Sequence, residues 1–247
     1  MLDPTANPNC IHCHGEGYLT RPETALNGQT TDYVYRCRCA TGMPRFRDQI
    51  PAGLHQLSFD TFPAKDSTPN TQAAALMRRL VEGLGRFTKA PVVILSGRDG
   101  APTTHAAAMA VREAMSECKV ETAMIESAAN LVAQAAEPKQ AKRGRKRNQK
   151  PDAAEVGLLV ILELGFEYDE DDDRAATALY RILETRTRKG LATIITTELT
   201  DEALDELYGE PAYRKFLSKL RAHGMTLALE PAAPEAAAED AAFLLAA

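Results

Sequence analysis

A chain of 247 residues, 45% hydrophobic and 26% charged, has room for one mid-sized domain plus a small module, and its apolar fraction suits a globular rather than a disordered or membrane protein. No run reaches the roughly 18–20 uninterrupted apolar residues of a membrane span, and the start MLDPTANPNC lacks the basic and apolar segments of a secretory signal. A cytoplasmic protein with no membrane partner is expected. The net charge of −5 hides a local asymmetry, because residues 139–150 carry seven basic side chains and no acid while residues 167–173 carry six acids. Phosphate contacts depend on local charge, so nucleic acid stays open as a partner. With no Trp and 6% aromatic residues, stacking platforms for single strands are sparse.

The first feature in the chain is a group of four cysteines, Cys10, Cys13, Cys37 and Cys39. In a reducing compartment these are thiols rather than disulfides. A structural zinc ion needs four soft ligands in a tetrahedron, and two close pairs on two turns supply them. Here the pairs are C-x-x-C and C-x-C, with Gly15 and Gly17 freeing the backbone after the first. The 23 residues between the pairs suit a hairpin that returns the second pair to the first. His12 and His14 are alternative donors, and a redox pair is the alternative chemistry. No three-ligand set with an open position is present, so the expected metal is structural. Such binding contributes roughly 10–16 kcal/mol to folding. The fifth cysteine, Cys118, reads as a small buried apolar residue.

Helical periodicity begins near Thr71, with Leu76, Leu80, Leu84 and Phe87 recurring every three or four residues. The run PVVILSGRDGAP predicts a buried strand and a tight glycine loop, followed by a helix in TTHAAAMAVREAMSE. A second strand is expected at 120–125 and a helix at 127–134. The basic run follows as an exposed insertion. GLLVILEL at 157–164 is the strongest strand pattern. A helix at 173–189, a strand at 192–197, a helix at 201–222 and a last strand at 225–229 complete the alternation. Runs apolar on both faces alternating with helices imply an α/β fold, a parallel sheet covered by helices on both sides. The expected organisation is an N-terminal zinc-binding region at 1–60, an α/β domain at 61–230 with the basic insertion 139–150, and an alanine-rich tail at 231–247.

The loop after the first strand of the alternation invites comparison with a phosphate-binding loop, G-x-x-x-x-G-K-[ST]. Gly97 and Thr104 fit its first and last positions, with Gly100 and Thr103 between them. Pro102 replaces the second required glycine and removes an amide, and Thr103 replaces the lysine. Asp99 adds charge of the wrong sign, and Arg98 and His105 are the available substitutes. In ATPases of this kind a later strand ends in acids that position Mg²⁺ and activate water. Here that strand ends Ile161-Leu162-Glu163, so Glu163 is the one candidate catalytic group and Leu162 stands where the metal acid belongs. The simpler reading of Glu163 is a salt-bridge or capping carboxylate.

The order of these features resembles the DnaC/DnaI/IstB group of AAA+ ATPases over residues 8–229. CIHCHGEG, YRCRCA, IPAGL and FDTF are similar to the zinc-bearing front of DnaC-like loaders. LLVILELGFE resembles the family's LLVIDDLG strand, LATIITTELT its γ-phosphate-sensing strand, and YGEPAYRKFLSKL its helix ending in S-R-L. The resemblance implies an AAA+-like domain that acts with a replicative helicase or related DNA machinery, as a homo-oligomer holding single-stranded DNA in a pore. Against the family pattern, Thr103 replaces the loop lysine, Leu162 the Mg²⁺ acid, Glu198 the sensing asparagine and Lys219 the finger arginine. All four together imply loss of ATP hydrolysis, and ATP with Mg²⁺ is not an expected cofactor. In the family the insertion lies on the pore side, which makes Lys142, Arg143, Arg145, Lys146, Arg147 and Lys150 candidate DNA contacts; a solvated linker is the alternative. The acidic run reads as a solvated helix start. A divergent active ATPase using Arg98 or His105, and an IstB-type transposase helper, are the rival readings.

Overall fold

The computed structural model describes residues 13–24, 30–37, 40, 50–64, 67–87, 89–117, 119–136, 152–167, 173–209, 211 and 213–231. Near the start, β1 (Tyr18–Thr24) pairs antiparallel with β2 (Thr30–Arg36), with Tyr18 opposite Arg36 and Thr24 opposite Thr30. This is the hairpin that the cysteine spacing calls for. Leu19 faces a small cluster of Cys13, Cys37 and Ala40, while Tyr18, Thr20, Val34 and Arg36 line the exposed face, as period-two alternation requires.

The rest forms the expected alternation. α1 (Thr68–Gly83) starts at Ser67, whose side chain accepts the Asn70 amide, and it buries Asn70, Ala73, Met77, Leu80 and Val81 on one stripe. Then come β3 (Val92–Ser96), α2 (Thr103–Ser116), β4 (Ala123–Ser127), α3 (Ala128–Ala136), β5 (Leu158–Leu162), α4 (Asp173–Lys189), β6 (Ala192–Thr197), α5 (Asp201–Tyr208), α6 (Arg214–His223) and β7 (Gly224–Ala228). The five later strands form one sheet in the order β4-β5-β6-β3-β7, all neighbours parallel.

Side chains alternate across this sheet and build two cores. Val93, Leu95, Ile125, Leu158, Val160 and Ile194 join α1 and α2 on one face. Val92, Ile94, Met124, Leu159, Ile161 and Ile195 join α3 to α6 on the other. Ile50 and Phe62 are buried in the first core, with Leu54, Leu57 and Phe59 packed against it, so the segment after the hairpin is anchored on the sheet domain. Its polar anchors come from α2: Arg112 donates to the carbonyls of His55 and Leu57 at 3.2 and 3.4 Å.

Several boundaries depart from the sequence expectation. The helix expected at 201–222 is two helices, because Gly209 and Pro211 interrupt it and proline cannot continue a helix. The expected second strand at 120–125 runs from Ala123 to Ser127, and α3 follows at once. β5 stops at Leu162, where Glu163 turns into the left-handed region at φ 58°.

Candidate functional site

The C-terminal ends of parallel strands are where open α/β sheets bind ligands, and the sequence candidates gather there. The Gly97–Thr104 loop leaves β3, Glu163 leaves β5, and Thr197 and Glu198 end β6 between them. The Gly97 amide donates to the Thr197 carbonyl at 3.0 Å and the Leu164 amide to that of Thr196 at 2.9 Å, so one edge carries all three segments. β3 and β5 lie two strand positions apart, about 10 Å at ordinary spacing.

The glycine loop is compact. Ala101 donates to the Arg98 carbonyl at 2.9 Å and Thr103 to that of Ala101 at 2.8 Å. Ala101 packs against the first core. A Cβ placed on Gly97 would lie 2.5 Å from the Ala101 Cβ, 3.1 Å from the Thr103 Cγ2 and 3.2 Å from the Leu229 carbonyl oxygen. Glycine at 97 is therefore required by the approach of protein atoms. Two amides that a phosphate cradle would aim at a ligand are spent on the loop itself. Gly100, at φ 80°, turns the loop back, and Arg98 and Asp99 are exposed beside it. Thr104 opens α2.

His105 points elsewhere. Its Nε2 lies 3.1 Å from the Ser58 carbonyl and 3.3 Å from the Thr61 hydroxyl, and Phe62 packs edge-on at 5.1 Å. Its ring holds the 50–64 segment on α2 and is committed there. Leu162 packs against the first core. Glu163 is exposed, its amide donating to the Thr196 hydroxyl at 3.2 Å, and no described group pairs with its carboxylate in the hydrogen bonds or ion pairs seen. Lys219 lies with its Nζ 5.9 Å from the centre of the Tyr180 ring on α4. Glu198 is exposed.

At the hairpin, Cys13 and Cys37 are both buried, and the Gly17 amide donates to the Cys13 sulfur at 3.2 Å. The Cys37 amide donates to the Gly17 carbonyl, which draws the two segments together. Cys10 and Cys39 lie outside the described residues, as do Cys118 and the basic residues Lys142, Arg143, Arg145, Lys146, Arg147 and Lys150. Among the described residues there is accordingly no group of three metal-ligating side chains. No described helix is long and apolar enough to cross a membrane.

Three polar positions that sequence reasoning left at the surface or did not single out are buried. Glu167, expected in a solvated helix start, is instead buried, because it accepts hydrogen bonds from the Tyr208 hydroxyl and, at 2.9 Å, from the Gly165 amide. Burial, then the Glu167 carboxylate, pushes the Tyr208 phenol far above its ordinary value. Arg186 is fully buried although it sits in a basic run, RTRK, that looks like a helix surface. Asn70 is buried at the start of α1. The only sequence signal for the last two is a polar residue on the apolar stripe of its helix.

No protein-family model matches the sequence, and no curated protein does. Solved structures are similar in fold. The DnaC helicase loader superposes with a TM-score of 0.57 at 17% identity, over 72% of this chain and 99% of that one. DnaI gives a TM-score of 0.57 at 17% identity, over 75% and 93%. The replication initiator DnaA bound to AMPPCP and single-stranded DNA gives 0.55 at 17% identity, over 71% of this chain and 50% of that one, so this chain spans half the length of that structure. The parallel sheet and its covering helices thus have the fold of the DnaC helicase loader, of DnaI and of DnaA.

Proposed function

We propose that this protein is a zinc-bearing, DnaC-like adaptor of DNA replication that engages a replicative helicase without hydrolysing ATP. The observation that carries the reading is the glycine loop: on a helicase-loader fold, its amides bond within the loop and Ala101 fills the space above Gly97. Thr103 and Leu162 supply neither the cation nor the metal-binding acid that phosphoryl transfer needs. Titration of the purified chain with ATP and Mg²⁺ tests it, and so does copurification with a replicative helicase. No binding at millimolar ATP together with a stable helicase complex is the expected pair of results. ATP hydrolysis abolished by Glu163→Gln would instead establish a divergent ATPase, with Arg98 as the remaining phosphate partner since His105 is committed to Ser58 and Thr61. An IstB-type helper would copurify with a transposase.

The zinc assignment rests on donor chemistry. An amide-to-sulfur bond such as that from Gly17 to Cys13 stabilises a thiolate ligand, and Cys37 is brought beside it; Cys10 and Cys39 would complete the set. The ion would fix a module too small for its own core. The basic residues 142–150 are the proposed contacts to single-stranded DNA, which predicts steeply salt-dependent binding lost on their replacement by Ser. Self-association into a homo-oligomer around that strand belongs to the same reading.

A further inference from the structure

The glycine loop does not close by itself; a segment from the far end of the chain lies along it. Leu229, just after β7, donates its amide to the Ser96 carbonyl at 2.7 Å and buries its side chain in the first core. Its carbonyl oxygen lies 3.2 Å from where a Gly97 Cβ would be, and the Pro231 Cβ lies 3.9 Å from the corresponding point on Gly100. Both glycines of the loop are thus faced by residues 229–231.

What fixes this segment is Asn70. Its side chain is completely buried, which is unfavourable unless its polar atoms are paired. They are paired with the backbone of one residue in both directions: Nδ2 donates to the Glu230 carbonyl at 3.2 Å, and Oδ1 accepts the Glu230 amide at 3.2 Å. Nδ2 also lies 3.5 Å from the Pro63 carbonyl. The amide side chain imitates a strand neighbour for Glu230, across 160 positions of sequence.

We propose that Leu229–Pro231 is a strap that holds the glycine loop in its closed form, with Asn70 as the latch. To wrap an anion the loop would have to break its own Ala101 and Thr103 hydrogen bonds and lift Ala101 out of the core. Leu229 and Pro231, which face its two glycines, stand against that movement. Indifference to nucleotide is then a tertiary property in addition to a missing lysine. The proposal rests on the reading of the loop as closed to nucleotide, and it also says what keeps it closed.

Hydrogen exchange of the full chain without nucleotide tests it, so that failure here leaves the ATP titration as an independent result. In Asn70→Ala the Glu230 amide loses its acceptor, and the amides of Ala101 and Thr103 should exchange about tenfold faster, the effect of losing one or two hydrogen bonds. The Gly97 amide, held by Thr197, and the amides of Ile194 and Ile195 should keep their wild-type rates. Loop amides that stay protected while Glu230 exchanges freely would overturn the strap. If every amide in Asn70→Ala speeds up together, the variant has lost its fold and Pro231→Gly decides. That change leaves Asn70 intact and removes the ring that faces Gly100. Faster exchange confined to the loop supports the strap, and an unchanged loop overturns it.

Discussion

Arg186 offers the sharpest test of how the sheet domain is held together. It lies in the last turn of α4, has no exposed surface, and none of its described partners is a carboxylate. Its Nε donates to the Thr193 hydroxyl at 2.9 Å, one Nη to the carbonyls of Ala153 and Val156 at 2.9 and 2.8 Å, and the other Nη to the Ala192 carbonyl. Burial lowers its pKa to about 9, so the side chain is still a cation at neutral pH. One planar fork therefore ties the approach to β5 to the start of β6, next to the segment where the chain emerges from residues 137–151. Arg186→Met keeps the apolar stem and removes every donor. Three carbonyls, two of them on buried residues, and a hydroxyl lose partners at about 1–3 kcal/mol each, offset by no longer desolvating a cation. The expected net loss is about 2–4 kcal/mol. Urea unfolding measures it, with the midpoint falling and the slope unchanged. Arg186→Lys should recover only a minor part, since a point ammonium cannot span two segments. A loss within about 0.5 kcal/mol for Arg186→Met would refute the account.

Other perturbations follow from neighbouring contacts. Tyr208→Phe strips the buried Glu167 carboxylate of its phenol donor and leaves the Gly165 amide, which should cost about 1–3 kcal/mol in the same urea assay. Arg221 reaches Asp201 at 2.8 Å and Asp205 at 2.7 Å, and its hydrogen bonds hold the Asp201 carboxyl below its ordinary 3.8. A carboxyl depressed in the folded state stabilises above its unfolded value and loses that contribution as pH falls through the folded one. The stability gap between wild type and Arg221→Ala should accordingly be steady at neutral pH and narrow below about pH 4; a gap that persists at pH 2 would dismiss the pair. Cys13→Ser should lower the zinc content of the full chain from one per molecule, and the Cys37 amide should exchange faster as the two knuckle segments separate. Metal analysis that finds no zinc in the wild type would end that assignment.

Much of the fold was legible because its strongest patterns are local. The helix at Asp173–Lys189 and the strand at Ala192–Thr197 have the bounds expected from sequence, one from its amphipathic stripe and the other from a β-branched run. The edge of the sheet that carries the loop, Glu163 and Glu198 also followed from the alternation of strands and helices. Less visible were the places where a distant group sets the local backbone. β5 ends two residues early because the hydroxyl of Thr196, on the neighbouring strand, takes the Glu163 amide. His105, a candidate for phosphate from its position, is claimed by Ser58 and Thr61, which no spacing rule couples to it.

The amino-acid sequence alone determined the strand–helix alternation, the paired cysteines and the missing lysine and acid, because each depends on residue type and short spacing. Tertiary structure decided the state of the glycine loop and the burial of Asn70 and Arg186. Those depend on partners far away in the chain: Glu230 for Asn70, Leu229 and Pro231 for the loop, and the carbonyls of Ala153 and Val156 for Arg186. A polar side chain is stable in a core only where folding brings its partners to it, and composition cannot say where that happens.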